Sequence, residues 1–234
     1  MEHYTYFQHL TPDANWQKLI AALMVGGTLI VLGKRLSTRL ASEKAIEQAV
    51  VPDEKMSVFG VFDLITETFV NFHDSILGKE NRQYVPFSLS IFLFIFVSNL
   101  LGLVPGMPAI TTTVWVNVAL AISVFIYFNY EGIRAHGAWA YLKHFCGPVI
   151  YLAPLILPIE LFSSVLRILT LNLRLYWNIT GDHLVLGVFT QMAPYVVPCI
   201  FYIFGTFVAF MQAFVFTILT MIYILLATVH EEEH

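Results

Sequence analysis

Between Phe145 and Val229 the chain carries only four Asp, Glu, Lys or Arg residues: Glu160, Arg167, Arg174 and Asp182. A tract that long and apolar is at home in hydrocarbon as helix, where every backbone group is satisfied within the segment. Each charge at bilayer depth costs at least ~2.5–3.5 kcal/mol on insertion scales, so its presence needs a reason. A helix turns ~100° per residue, which sets Glu160, Ser163, Arg167, Thr170, Arg174, Asn178 and Gly181 close to one line. The rest of that surface is mostly Leu, Ile, Val and Phe. The expected element is a lipid-embedded helix with one polar, cationic stripe.

The remainder of the chain agrees. Hydrophobic residues make up 58% and charged residues 12%, against about 25% charge in soluble domains. The expected class is an all-α integral membrane protein. Cys146 and Cys199 both stand in apolar surroundings and read as packing residues; no CxxC or Cys/His metal spacing occurs. No GxxxxGK[ST] phosphate loop occurs either, so nucleotide chemistry is not expected here. Neither a cofactor, a metal nor a nucleic-acid partner is expected. The first apolar run has no basic region before it and reads as a retained anchor.

In order, the chain reads as one membrane domain. Residues 1–15 form a polar tail, and 16–33 a first span ending in Lys34-Arg35. From 55 to 77, Phe59, Phe62, Phe69, Phe72 and Ile76 alternate with Asp63, Glu67, His73 and Asp74. That pattern predicts an amphipathic helix in the interface plane, with Asp63, Glu67 and Asp74 on a solvated face. Residues 83–130 hold no charge, and Pro105-Gly106-Met107-Pro108 divides them into spans at 86–104 and 113–130. Asn99 and Asn117 are the polar exceptions, with bonding to a neighbouring helix as the default role. A polar connection follows from Glu131. Residues 159–189 are the stripe-bearing helix, ~45 Å long at ~1.5 Å per residue. That exceeds a ~30 Å hydrocarbon core, so it must tilt or bend. A second over-long helix, 195–229, precedes an acidic tail at 230–234. Seven of the 12 basic residues lie between Lys34 and Arg82. Basic residues favour the cytoplasmic side, which predicts an outer N-terminus and a cytoplasmic C-terminus.

Arg174 is the sharpest feature. Its guanidinium cannot be deprotonated, so it is a fixed positive charge that lowers the pKa of any carboxylate approaching it. No acid stands one turn away on its own stripe, and the spans at 86–130 and 195–229 offer none. Arg174 therefore waits for an anion from elsewhere. Glu160 lies toward one membrane face and Asp182-His183 toward the other. Imidazole titrates near neutrality, and carboxylate chains mark proton paths. Two titratable ends separated by a fixed cation suggest two half-pathways that must not connect. Gln212 joins them if the last two helices form an antiparallel hairpin.

At these residues the sequence resembles the subunit a family of F-type ATP synthases. The resemblance rests on Thr170-Leu-Asn-Leu-Arg174-Leu-Tyr-Trp-Asn178, on His183, on Gln212-Ala-Phe-Val-Phe-Thr-Ile-Leu-Thr, and on FIFVSNLLGLVPG at 94–106. Glu160 and Arg167 also fall at family-like offsets. The resemblance implies a stator subunit, not itself catalytic, beside a rotating ring of c subunits that each carry a membrane-buried carboxylate. It implies that Arg174 draws that carboxylate into its ionised form and blocks a direct leak. Asn178, His183 and Gln212 would line the outer half-channel and Glu160 the cytoplasmic one, with Arg167, Thr170, Ser163 and Asn99 as secondary candidates. Implied partners are the c ring, the b (or b/b′) peripheral stalk, the lipid bilayer and, indirectly, the soluble catalytic sector. The implied location is a bacterial inner membrane.

Three departures stand out: Trp177 and Asp182 replace family glycines, and Gly205 replaces a frequent His or Glu. Asp182 is expected to supply the carboxylate that position 205 lacks. A self-contained secondary transporter is the alternative, and a purely structural assembly subunit a third reading. No internal repeat of the transporter kind is apparent, and a titratable stripe would be unnecessary for structure alone.

Overall fold

The computed structural model describes residues 13–40, 58–104, 106–137 and 196–228, with helical positions scattered between 166 and 189. The first helix, α1 (Ala14–Leu40), runs past the basic pair that was expected to end it. Lys and Arg are good helix formers, so the helix continues through Lys34 and Arg35 beyond the apolar run. Next comes α2 (Val58–Leu77), then a 3-10 segment Lys79–Tyr84. Gly78 joins the two with φ 80, a left-handed conformation that a Cβ disfavours. Helix α3 (Val85–Leu103) follows, with a proline in its first turn where no amide donor is needed.

A 3-10 turn at Ile110–Thr112 leads into α4 (Val114–His136). Residues 131–136, expected to be connection, are helical. Gly137 ends the helix at φ 81, and its N–H donates to the Ile133 carbonyl at 2.8 Å. Within the last turns Glu131 and Arg134 approach to 3.8 Å, one turn apart. The last described helix is α5 (Val196–Thr228). The described residues contain no strand.

Four of these segments are long and apolar enough to cross a membrane: Asn15–Arg35, Lys79–Leu103, Val114–Ala135 and Cys199–Thr228. Helix α2 is not among them. The core forms where α3 lies on α5, with α4 and α2 completing it. Ile95, Ala213, Phe216, Met221 and Ile224 are buried there. Phe210 of α5 meets both Phe92 and Phe96 of α3 edge-on, at 6.0 and 6.1 Å between centroids. Toward one end Gly205 abuts Leu103; toward the other, Tyr84 is hydrogen-bonded to Thr228. The two helices are therefore antiparallel. At the Gly205 end, Ala21 and Val25 of α1 pack with Ile110. The start of α1 and the 104–113 loop thus share one end of the bundle. Phe87 and Tyr127 stack at 3.6 Å and tie α4 to α3 near the other.

Helix α2 corrects its sequence reading in two places. A stripe of Phe69, His73 and Leu77 is buried, because steps of four residues advance only ~40° around a helix. His73 thus belongs to the packed face. Asp74 is only partly buried, and it is paired. Arg82 donates through Nε to both its carboxylate oxygens, at 3.1 and 3.2 Å, and again through a terminal nitrogen. Glu67 is exposed, as expected.

Candidate functional site: a buried polar cluster and an apolar helical stripe

Buried polar side chains occur on each of the elements that meet at one end of the bundle, α1, α3, the 3-10 turn and the start of α4. Asn99 is 3% exposed, and neither its amide nitrogen nor its oxygen has a hydrogen-bond partner. The hydroxyls of Ser98, Thr111 and Thr113 are buried and equally unpartnered. Gln17 of α1 is buried at the same end. The role expected of Asn99, a bond to a neighbouring helix, is not what it does.

Asn117 behaves differently. It donates from Nδ2 to the Thr111 carbonyl at 2.7 Å, fastening the start of α4 to the turn. This fixes the turn against α3, where Gly102 comes so close that an added Cβ would lie 3.3 Å from that of Ala109. Buried polar groups are ordinarily satisfied, and exceptions call for a ligand, a water or a function. A set of small amides and hydroxyls is suited to hold water. Sequence reasoning named Asn99 and Asn117 here, and Asn117 bonds to the turn rather than to a neighbouring helix. Thr111 and Thr113 sit in a Thr-rich turn whose sequence gives no periodic signal.

One turn beyond Asn99 is Leu103, which faces Gly205. A Cβ at 205 would lie 2.7 Å from Leu103 Cδ2. Gly205 is buried although Ile203, Phe204, Thr206 and Phe207 around it are exposed. Any larger residue at 205 must displace the end of the Leu103 side chain. Gln212, two turns along α5, is partly buried.

Between 166 and 189 the described positions Leu166, Thr170, Leu173, Trp177, Leu184 and Val188 are all exposed. Their spacings of three, four and seven residues set them on one helical face. Trp177 is 63% exposed. Ile200, Ile203, Phe204 and Phe207 form a second exposed apolar face on the first half of α5. Phe189 meets Phe201 at 5.2 Å between centroids, joining the two segments. Apolar faces on this scale mark surfaces for lipid or for a protein partner. Arg174, Glu160, Asn178, Asp182, His183, Arg167 and Ser163 lie outside the described residues. Of the expected site residues, Thr170, Gln212 and Asn99 are described. They are not brought into one cluster: Asn99 lies in the polar end, Gln212 farther along α5, and Thr170 on the exposed stripe. No group of His, Cys, Asp and Glu able to hold a metal occurs among the described residues.

Such a chain is a multi-pass, all-α membrane protein with an internal polar cluster and an apolar face left open. The family model for the ATP synthase A chain matches residues 19–225. The chain is 40% identical to ATP synthase subunit a of Bdellovibrio bacteriovorus over 222 residues, 95% of this chain and 96% of that one. Against ATP synthase subunit a of Helicobacter hepaticus it is 38% identical, covering 99% and 98% of the two chains. The Sulfurimonas denitrificans subunit a gives 37% identity over 100% and 99%. The chain belongs to the ATP synthase subunit a family.

Proposed function

We propose that this chain is the proton-channel stator subunit of a bacterial F-type ATP synthase and works through two offset half-channels against a ring of c subunits. Family membership along nearly the whole chain supports the class. The observation that carries the path is the set of buried, unpartnered polar groups on α3 and the turn that follows it, Asn99, Ser98, Thr111 and Thr113. Hydrated, those groups would relay protons inward from the bundle end that holds the start of α1. We assign that end to the outer side, from the basic residues gathered between Lys34 and Arg82. Gln212, Asn178 and His183 continue the outer path in this reading, and Glu160 serves the cytoplasmic one.

Arg174 separates the two. Its permanent charge ionises a ring carboxylate at its level and releases the proton. A neutral, reprotonated carboxyl can enter lipid, where a charged one is strongly disfavoured. Rotation is thereby coupled to proton transfer at each end. The exposed stripe through Leu173 and Trp177 suits the ring-facing side, because an apolar face allows sliding contact without specific bonds. The peripheral b stalk and the catalytic sector complete the complex in this reading.

Asp182 supplies the carboxylate of the outer path, beside His183. The tight contact between Gly205 and Leu103 supports this, since no titratable side chain fits at 205 with Leu103 in place. Asp182→Asn should then reduce pumping at least tenfold while assembly stays normal; unchanged pumping would remove Asp182 from the path. Reconstitution tests the wider claim. The chain alone in vesicles should carry no coupled solute or proton exchange, and transport should require the ring. Transport by the isolated chain would restore the self-contained transporter.

A further inference from the structure

His73 lies between Phe69 and Leu77 on the buried stripe of α2, with no solvent exposure and no hydrogen-bond partner at either ring nitrogen. Helix α2 packs on α3, α5 and the 3-10 segment Lys79–Tyr84. Phe69 meets Phe92 of α3, and Phe72 meets Phe214 of α5, at 5.6 and 4.9 Å between centroids. None of these contacts can accept a charge.

Among the described residues, the groups available to an imidazolium are few. Helix α3 contains no titratable residue, and α5 only Cys199, Tyr202 and Tyr223. The 3-10 segment brings Lys79, Glu80, Arg82 and Tyr84; α2 itself carries Asp63, Glu67 and Asp74. Burial is the largest influence on His73 and disfavours its protonated form; Arg82 adds to that effect and Asp74 opposes it. Asp74 is already committed to the Arg82 guanidinium on both oxygens. A neutral imidazole is tolerated in such a place. A cation is not.

We propose that His73 makes the docking of α2 on α3 and α5 depend on pH, acid expelling the helix by placing a charge where no anion among the described residues is free to meet it. The direction follows from linkage. Docked, His73 resists protonation; undocked, it titrates near the ordinary imidazole value of ~6.5. Docking is at full strength above that value and weakens as pH falls below it, approaching tenfold per unit until the docked form also protonates. Because Phe72 bears on Phe214, half a turn beyond Gln212, undocking removes support from the middle of α5. Acid on the side that α2 faces thus loosens the helix that borders the proposed proton path.

Hydrogen exchange on the assembled complex in lipid nanodiscs at pH 7.5 and 5.5, normalised to intrinsic rates, tests this. Amides between residues 66 and 77 should lose roughly tenfold protection at pH 5.5, while those at the centre of α3 do not change. In His73→Leu and, should that variant fail to assemble, His73→Gln, protection should be the same at both pH values. Equal protection in the unmodified complex at the two pH values would overturn the proposal. So would a pH-dependent loss that survives in either variant.

Discussion

Asn99 is the residue where a structural and a functional role separate most cleanly. Replacing a buried, unpartnered amide by an apolar group of similar shape is close to neutral for stability. Asn99→Leu should therefore assemble normally, yet lower ATP-driven proton pumping by tenfold or more if its amide helps hold a hydrated path. Assembly with full pumping would return Asn99 to packing. At Gly205 the contact with Leu103 makes the opposite prediction. Gly205→His should impair assembly by crowding Leu103, and a second change, Leu103→Ala, should restore it. Overpacking of this kind typically costs ~1–3 kcal/mol, read as a lower thermal midpoint of the purified complex. Sequence reasoning found Asn99 because a lone amide in a charge-free span is conspicuous. It missed Thr111 and Thr113, whose burial depends on a 3-10 turn folding back onto α3. It also grouped His73 with the acids around it, where the 3.6-residue period sets it beside Phe69.

At the scale of elements, the spans were legible because long apolar runs punctuated by Pro-Gly admit few alternatives in lipid. Their ends were less so. Lys34, Arg35 and Arg39 extend α1, and Glu131 and Arg134 lie within α4, since charged residues at a membrane surface are good helix formers. The clasp between Asp74 and Arg82 has its own pH signature. The Arg82 hydrogen bond holds the Asp74 carboxyl below the usual carboxylate range. A depressed carboxylate contributes above its free value of ~3.9 and is lost as pH falls through its folded value. Asp74→Asn should remove the most acidic step in the exchange protection of residues 78–84, and leave any step near pH 6 intact. A step below pH 4 that persists in Asp74→Asn would assign it elsewhere. Deeper in the bundle, Phe216 is 2% exposed between α3 and α5. Truncation to Ala should cost ~3–5 kcal/mol and show as reduced recovery of the subunit in membranes.

For the whole molecule, the fold explains why function needs partners. The described core occupies one side of the bundle, while the stripe through Leu173 and Trp177 and the face through Ile203 and Phe207 stay open. The spans at 86–130 and 195–229 hold no acid that could serve the role proposed for Arg174. The charge pattern made that vacancy legible from the sequence, but the shape of the open face needs the fold. The most direct measurement is ATP-driven proton pumping by membrane vesicles carrying Arg174→Ala in a fully assembled complex. Abolished pumping with normal assembly is the predicted result, because the proposed mechanism assigns to Arg174 the fixed charge that ionises the ring carboxylate and separates the half-channels. Coupled pumping that persists would contradict the account and detach the proton path from Arg174.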